Sequence, residues 1–278
     1  MRFLEGEAVE YKGILYLVKG YQHPEGFLVA YPRYDLLTRT PLQYMTSRYT
    51  INYEYWDCVK HTVPLIPLSS SMSVVLKLIE DVQSTVKTIV YLLEVSEDSV
   101  NVTGSSLVSS TPNDVDIVIY GATESIVERL SRLVERGVLE KSSYVLMSEY
   151  LRKHNSNLSI GEYMALKRNT LLHFTLRGLH VNLKLVELNR GYQGCVDPVF
   201  NYRYYTGLVE VFKPMNPHII PARYSAKCDL GDVVLESLRE LYAELTPGVY
   251  YAENARFEVR KSGLFLVPDH GVLRPLSR

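Results

Sequence analysis

The sequence predicts an α+β fold in which a central α/β domain, a mixed sheet with flanking helices, lies between two small β-rich domains. Three observations lead to this prediction. Short alternating apolar runs fill residues 1–67, helical and strand-like apolar spacings alternate over residues 72–190, and strand-like runs punctuated by proline and glycine occupy residues 191–278. We therefore expect three domains with these boundaries.

The first predicted domain consists of hairpins. Its apolar runs 8–11, 14–18 and 27–31 are separated by turns that contain glycine. His23 lies in one of these turns, directly before a proline. A lone histidine at such a place has a catalytic or metal-binding interpretation and a structural one, and we favour the structural interpretation.

Helices and strands alternate in the central domain. An amphipathic helix is predicted over residues 72 to about 93, and another runs from residue 126 to a stop near residue 137. Two shorter helices follow at 144–154 and 160–168, the latter with Ser159 as its N-cap. The runs 172–176 and 179–185 then predict a hairpin.

The last predicted domain is β-rich. Its apolar runs are short and are separated by prolines and by glycine-containing turns, with one predicted helix over residues 233–244. We interpret this part of the chain as a compact β domain, for which a small barrel is one candidate. Small barrels often bind oligonucleotides or protein partners.

One stretch of the central domain carries the chemical signal. Residues 102–121 predict a strand, a tight turn at Gly104-Ser105, and a second strand that starts with Asp114 and Asp116. Side chains two positions apart in a strand lie on the same face. The two carboxylates are therefore expected to point to one place, while the apolar residues between and after them point into a core.

Two carboxylates this close repel each other unless a cation lies between them, and a hard divalent cation such as Mg²⁺ is the usual solution. The Gly-Ser turn lets backbone N–H groups and hydroxyls approach phosphate oxygens closely. A structural alternative is that Asp114 simply ends a turn. The Gly-Ser turn just upstream favours the functional interpretation.

The Gly104-Ser105 pair followed by Asp114-x-Asp116 and an apolar strand resembles the signature of the DNA-polymerase-β-type nucleotidyltransferase superfamily. Other segments are similar to landmarks of a group of archaeal predicted nucleotidyltransferases. They are FLEGE at 3–7, VKGYQHPEG at 18–26, AYPRY at 30–34 and NYRY at 201–204. The resemblance thus touches most of the chain, and it implies that the central α/β domain is nucleotidyltransferase-like.

The resemblance also implies a reaction. Active superfamily members transfer a nucleotidyl group from a nucleoside triphosphate to a hydroxyl, with two Mg²⁺ ions held by carboxylates. By this resemblance Asp114 and Asp116 are catalytic metal ligands, and Gly104, Ser105 and Ser106 hold the nucleotide. The acceptor stays open, with RNA as one candidate.

Active members usually carry a third carboxylate on a later strand, where it orients or deprotonates the attacking hydroxyl. The polar face of the strand at 179–185 carries His180, Asn182 and Lys184 instead. Asn182 can orient a hydroxyl but has no useful basicity; His180 could act as a base, and Lys184 could neutralise triphosphate charge. Two hypotheses follow: a Mg²⁺-dependent nucleotidyltransferase, or a non-catalytic nucleotide- or RNA-binding protein with a degenerate site.

Composition limits the classes of protein to which the chain can belong. The 278 residues are 46% hydrophobic and carry a formal net charge of −1, so any contact with nucleic acid must be local. Cys58, Cys195 and Cys228 have no paired spacing, which predicts buried free thiols in a reducing compartment. The chain has no 18-residue apolar run, so we expect no membrane partner and a cytoplasmic location.

Overall fold

A computed structural model describes residues 3–42, 51–73, 78–109, 111–112, 114–154, 156–188 and 192–276. The chain divides into two compact units. The first unit comprises Met1–Gly121 and Leu188–Pro198, and the second comprises Ala122–Glu187 and Val199–Arg278. The chain therefore leaves the first unit, returns to it for one short segment, and then leaves it again. The three domains expected from the sequence stay a prediction.

The first part of the chain is built mostly of strands, with one α-helix. In chain order, its elements are β1 (Ala8–Tyr11), β2 (Ile14–Val18), β3 (Gln22–His23), β4 (Phe27–Asp35), β5 (Tyr53–Trp56), β6 (His61–Pro67), β7 (Met72–Ser73), α1 (Glu80–Leu93), β8 (Val100–Thr103) and β9 (Asp114–Tyr120). Short 3₁₀ turns lie at Leu68–Ser70, Glu97–Ser99 and Gly104–Leu107.

The rest of the chain begins with helices and continues with strands. Its elements are α2 (Glu124–Glu135), α3 (Ser143–Glu149), α4 (Ile160–Lys167), β10 (His173–Leu176), β11 (Leu179–Val186), β12 (Tyr192–Gln193), β13 (Val199–Asn216), β14 (Ile219–Ile220), β15 (Ala222–Cys228), β16 (Gly231–Ser237), β17 (Gly248–Arg260), β18 (Gly263–Val267) and β19 (Val272–Pro275). A π-helical turn follows α3 at Tyr150–His154, and 3₁₀ turns lie at Glu240–Tyr242 and Pro268–His270.

The fold class predicted from the sequence is wrong. The residues that the structure describes form nineteen strands and only four α-helices, so the protein is β-rich and not an α+β fold around a nucleotidyltransferase-like α/β core. Part of the error lies in two predicted helices. The helix predicted over residues 72–93 begins only at Glu80, and Met72–Ser73 belong to β7. Residues 74–77 of that prediction lie outside the described residues. At 233–244, β16 and a 3₁₀ turn replace the helix.

The strand β16 shows why local spacing misled the prediction. Val233 and Val234 are β-branched residues that favour strands, and β16 pairs with β15 on one side and with β18 on the other. Pairing on both sides buries Val233 and Leu235 in the sheet. Tertiary pairing therefore overrides the helical spacing of the apolar residues.

The first unit contains a sheet with the strand order β5-β6-β4-β2-β1-β7. Its neighbouring strands are antiparallel, and a two-residue turn at Lys12-Gly13 joins β1 to β2. Both turn residues have positive φ, as the tight hairpin requires. One face of the sheet buries a continuous apolar cluster, whose members are Phe3, Val9, Ile14, Tyr16, Val18, Leu28, Ala30 and Ile66.

The returning segment Leu188–Pro198 is linked to other parts of the first unit. Its strand β12 pairs in parallel with β3, and Cys195 forms a disulfide with Cys58. The Gln22 Oε1 atom accepts hydrogen bonds from the N–H groups of Val196 and Asp197 at 3.0 and 3.1 Å. The prediction of free thiols is thus wrong for Cys58 and Cys195, because the fold joins residues that are far apart in sequence. The prediction of a buried free thiol is confirmed for Cys228.

Five long strands of the second unit close into a barrel. Their order is β13-β15-β16-β18-β17, and β17 pairs back with β13. All of these pairs are antiparallel except β16 with β18. Numbered along the chain the five strands run 1-2-3-5-4-1, which is the connectivity of a Greek-key barrel of the OB type. The strand β13 closes the barrel because its 18 residues pair with β17 first and with β15 later.

An alternating row of charges crosses the outside of this barrel. Arg256 Nε lies 3.0 Å from Glu258, Arg260 contacts both Glu258 and Glu236 at 2.6 Å, and Arg223 Nε lies 2.9 Å from Glu236. Both carboxylates are buried, with 4% and 6% exposure for Glu258 and Glu236. Each therefore needs its two arginine partners, since an unpaired buried charge is costly.

The helices of the second unit precede the barrel strands. Ser159 caps α4 through a capping box with Glu162, as the sequence predicts for Ser159. Glu162 also accepts two hydrogen bonds of 3.1 Å from Arg274 on β19, which ties α4 to the last strand. Among the helices in the described part of the chain, none has the length and apolar character needed to span a membrane.

Candidate functional site

The strands β8 and β9 bring the two halves of the sequence motif together. They are antiparallel, and their register places Thr103 opposite Asp116. The chain leaves β8 at Thr103 and enters the 3₁₀ turn at Gly104 with φ of +68°, in the left-handed region that favours glycine. Gly104, the next residue after Thr103, therefore faces Asp116. A Cβ atom at Gly104 would overlap Asp116 Oδ2 and lie 2.9 Å from Cγ.

The serines of the turn contact the other aspartate. Ser106 Oγ donates a hydrogen bond of 2.8 Å to the backbone carbonyl of Asp114, and Ser105 Oγ donates one of 3.4 Å to Asp114 Oδ1. Asp114 is buried and Asp116 is half-buried. The structure thus places Gly104, Ser105, Ser106, Asp114 and Asp116 next to one another. Their roles in binding metal and nucleotide stay predictions.

Packing holds the turn in place. Val108, which directly follows the 3₁₀ turn, is buried against Ala8 and Leu15 of the N-terminal sheet, and Leu107 packs on the same cluster. The N–H groups of Val108 and Ser109 donate to the carbonyl of Ser105 at 3.0 and 2.8 Å. The serine hydroxyls are therefore presented by a backbone that is fixed on both sides.

The donor set suits a hard cation. Asp114 and Asp116 supply carboxylate oxygens, and Ser105 supplies a hydroxyl beside them. Across the described ranges there is no cluster of three histidine, cysteine, aspartate or glutamate side chains placed to bind a metal ion. Mg²⁺ does not require one, because it commonly binds one or two carboxylates and takes its other ligands from water and substrate phosphates. The residues present thus fit Mg²⁺ bound together with a phosphate-bearing ligand.

The other predicted site residues lie on β11 in the second unit. His180 and Asn182 are buried, and the register places Asn182 opposite His173 on β10. Lys184 Nζ lies 3.9 Å from Glu240 Oε1, so its charge has an acidic partner within the unit. The face carries no carboxylate, as the sequence indicates. The catalytic roles of His180 and Asn182, and the nucleotide contact of Lys184, stay predictions.

Sequence reasoning missed a buried polar cluster beside this face. Glu149 Oε2 accepts a hydrogen bond of 3.0 Å from Tyr163 and lies 3.1 Å from His173 Nδ1. The His154 ring stacks on Tyr163 with a centroid distance of 5.1 Å. These residues come from four separate elements, so no local pattern could have revealed the cluster.

Burial and neighbouring charged side chains shift the pKa values of Glu149 and His154. Burial by itself would raise the pKa of Glu149, but the hydrogen bond and charge of His173, together with Lys153 and Lys167, hold that pKa far below its ordinary value. Burial lowers the pKa of His154. The lowered pKa favours the ionised form of Glu149, whose carboxylate accepts the hydrogen bond from Tyr163 of α4.

Comparisons with known proteins add little. No family model and no curated protein matches the chain. Among solved structures, the crystal structure of the tetrameric p202 HIN2 is similar with a TM-score of 0.25 and 9% sequence identity. The similarity covers 38% of this chain and 62% of that chain. A similarity at this level carries no argument about fold or function.

Proposed function

We propose that the protein is a Mg²⁺-dependent nucleotidyltransferase that moves a nucleotidyl group from a nucleoside triphosphate to a hydroxyl acceptor. One observation carries the proposal: two carboxylates, Asp114 and Asp116, converge on the Gly104-Ser105 turn. Carboxylates are Mg²⁺ ligands, and a glycine-serine turn suits phosphate oxygens. The resemblance of this segment to the DNA-polymerase-β-type superfamily supports the same reaction.

Each residue has a definite role in this proposal. Asp114 and Asp116 hold the metal, and the hydroxyls of Ser105 and Ser106 with the backbone at Gly104 contact the phosphates. Bound Mg²⁺ supplies neutralisation of phosphate charge and activation of the attacking hydroxyl. The hydrogen bonds from Ser105 to the carboxylate of Asp114 and from Ser106 to its backbone carbonyl hold the turn against Asp114 before any ligand binds.

The compartment proposed with this activity is the cytoplasm, where nucleoside triphosphates are made and used. The Cys58–Cys195 disulfide is unusual for that compartment. Intracellular proteins of hyperthermophilic archaea and bacteria are an exception, because they are often rich in disulfides. The disulfide and the archaeal resemblance are therefore compatible with a cytoplasmic protein from such a source.

A second candidate is nucleotide binding without transfer. It is favoured by the polar face of β11, which carries His180, Asn182 and Lys184 and no acid. A carboxylate is the usual base for the attacking hydroxyl, and neither asparagine nor lysine replaces its basicity at neutral pH. In this case Asp114, Asp116 and the turn would still bind a Mg²⁺-nucleotide complex.

Calorimetric titration tests the site. ATP, GTP, CTP and UTP are titrated with and without Mg²⁺ into the wild type and into the Asp114→Asn, Asp116→Asn double variant. The matched control is the Glu80→Gln, Asp81→Asn double variant, which removes two exposed carboxylates from the start of α1. We expect Mg²⁺-dependent binding in the wild type and the control, and none in the aspartate variant. Absence of binding to all four nucleotides would refute both candidates.

Transfer distinguishes the two candidates. Nucleotide labelled at the α-phosphate is incubated with the protein, Mg²⁺ and a mixture of RNA, protein and small-molecule acceptors. Incorporation that disappears in the Asp116→Asn variant supports the transferase. Binding without incorporation into any acceptor supports the binding protein instead.

A further inference from the structure

Three aromatic side chains form a row on the outside of the barrel. Tyr202 and Tyr204 occupy alternate positions of β13 and share one face of the strand, and Phe200 precedes them at a β-bulge between Val199 and Asn201. The exposures of Phe200, Tyr202 and Tyr204 are 62%, 38% and 59%. Single exposed aromatic residues are common, but three exposed aromatic residues within one short stretch of strand form an unusually apolar surface.

The row is held rigid from below. The Arg256 guanidinium lies 4.0 Å from the centroid of the Tyr202 ring, and Arg256 is itself buried and ion-paired with Glu258. Tyr204 contacts Tyr202 edge to face at a centroid distance of 6.1 Å and is the cross-strand neighbour of Arg256. The rings are thus positioned before any ligand arrives, which lowers the entropy cost of binding.

The charges around the row are favourable for an anion. Lys261 is exposed in the turn that follows Arg260, the cross-strand neighbour of Val199 at the start of β13. Arg203 is also exposed, but it lies on the opposite face of β13, with its guanidinium 5.5 Å from the centroid of the Phe257 ring. The nearby carboxylate of Glu258 is already neutralised by Arg256 and Arg260. Exposed aromatic rings and the accessible cation of Lys261 therefore lie on the same part of the barrel, in a protein with almost no net charge.

We propose that this row, Phe200, Tyr202 and Tyr204, binds single-stranded nucleic acid. Bases stack on the exposed rings and phosphates contact Lys261, a combination that is typical of single-strand binding. The surface lies where β13 pairs with β17, whereas barrels of this type commonly bind oligonucleotides across their second and third strands. The proposal does not rest on nucleotidyl transfer, because it needs neither Asp114, Asp116 nor a metal ion.

Fluorescence anisotropy tests the proposal with end-labelled 12-nucleotide strands of oligo-U, oligo-A and oligo-dT and with a 12-base-pair duplex. The variants are Phe200→Ala and Tyr204→Ala, both at exposed positions. Phe212→Ala is the matched control, because Phe212 is an exposed aromatic residue on β13 outside the row. We expect each row variant to weaken single-strand binding by roughly 5- to 100-fold. The control and the Asp114→Asn, Asp116→Asn variant should bind like the wild type.

Several results would overturn the proposal. They are an absence of saturable single-strand binding, tighter binding of the duplex, or an equal loss of affinity in Phe212→Ala. Sedimentation tests whether a second copy of the chain occupies this surface instead. If the wild type fails to bind the strands and sediments as a dimer that Tyr204→Ala dissociates, the row is an interface between two copies of the chain. The relative affinities for oligo-U and oligo-dT identify RNA or DNA as the preferred strand.

Discussion

The backbone of Gly104 lies directly against the carboxylate of Asp116, with no space between them for a methyl group. We predict that Gly104→Ala abolishes Mg²⁺-dependent nucleotide binding, because the new Cβ atom forces the Asp116 side chain out of its position. The expected loss of folding stability is only about 1 to 2 kcal/mol, the cost of a left-handed non-glycine residue, since a carboxylate can rotate away. Calorimetry and chemical denaturation measure the two effects.

Gly13→Ala provides the matched control for this prediction. Gly13 also has a positive φ, of +76°, but nothing lies within 4 Å of a Cβ atom built there. Gly13→Ala should therefore show the same loss of stability and keep nucleotide binding. Equal binding by both variants would contradict the assignment of Asp116 to the site.

His23 is predicted to make stability depend on pH. The side chain is 1% exposed, and its Nδ1 atom accepts a hydrogen bond of 3.2 Å from the N–H group of Val29. Burial lowers the pKa of His23 from 6.5 to about 4. The unfolded chain thus binds this proton more readily than the folded chain, so stability is lost as the pH falls from 6.5 to 4.

The magnitude of this loss is roughly 3 kcal/mol, from the difference between the two pKa values. We expect urea denaturation of the wild type to show it between pH 7 and pH 4. The His23→Asn variant keeps an acceptor for the N–H group of Val29, and its asparagine does not titrate in this range. Between pH 7 and pH 4 its free energy of unfolding should therefore fall by roughly 3 kcal/mol less than that of the wild type. An identical pH profile for both proteins would be evidence against a neutral His23.

The Cys58–Cys195 disulfide is predicted to make a large contribution to stability. It joins residues 137 positions apart, and in the chain-entropy description closing so long a loop stabilises the fold by about 3 to 5 kcal/mol. Reductant should therefore lower the free energy of unfolding of the wild type by this amount. The Cys58→Ala, Cys195→Ala variant should be equally destabilised and insensitive to reductant. A wild type that is unaffected after complete reduction would contradict the prediction.

The charged row on the barrel gives a further prediction. Burial by itself would raise the pKa of Glu236, but Arg260 and Arg223 hold it below its ordinary value of 4.5. Glu236→Gln should cost about 3 kcal/mol, because it leaves two arginines with one partner fewer in a buried setting. The stabilisation in the wild type is complete above pH 4.5 and is lost as the pH falls below that value.

Glu210→Gln is the comparison for Glu236→Gln. Glu210 is exposed on β13 opposite Lys227 of β15. An exposed pair of this kind contributes about 0 to 1 kcal/mol. Denaturation at neutral pH should therefore separate the two variants clearly, and similar costs would show that burial does not strengthen the row.

The sequence predicted those features that depend on local chemistry. The Ser159 cap, the hairpin of β10 and β11, and the face shared by Asp114 and Asp116 follow from spacing within a few residues. Such patterns survive folding because the interactions that stabilise them are themselves local. The convergence of Gly104 on Asp116 was predictable for the same reason, since one hairpin register determines it.

The features that the sequence could not predict depend on distant pairing. The strand β16 carries helical spacing but is held by β15 and β18, and Cys58 meets Cys195 only when β12 joins β3. The cluster around Glu149 likewise needs α3, α4 and β10 together. These contacts depend on the whole fold, so local patterns in a single sequence do not reveal them.

The return of Leu188–Pro198 to the first unit sets the order of events during synthesis. Cys195 emerges 137 residues after Cys58, which at a ribosomal rate of 5 to 20 residues per second is a delay of roughly 7 to 27 s. Throughout that delay β3 lacks its partner β12 and the Cys58 thiol is exposed to exchange with other thiols. The first unit therefore completes its fold only after α2, α3, α4 and the β10–β11 hairpin of the second unit have been translated.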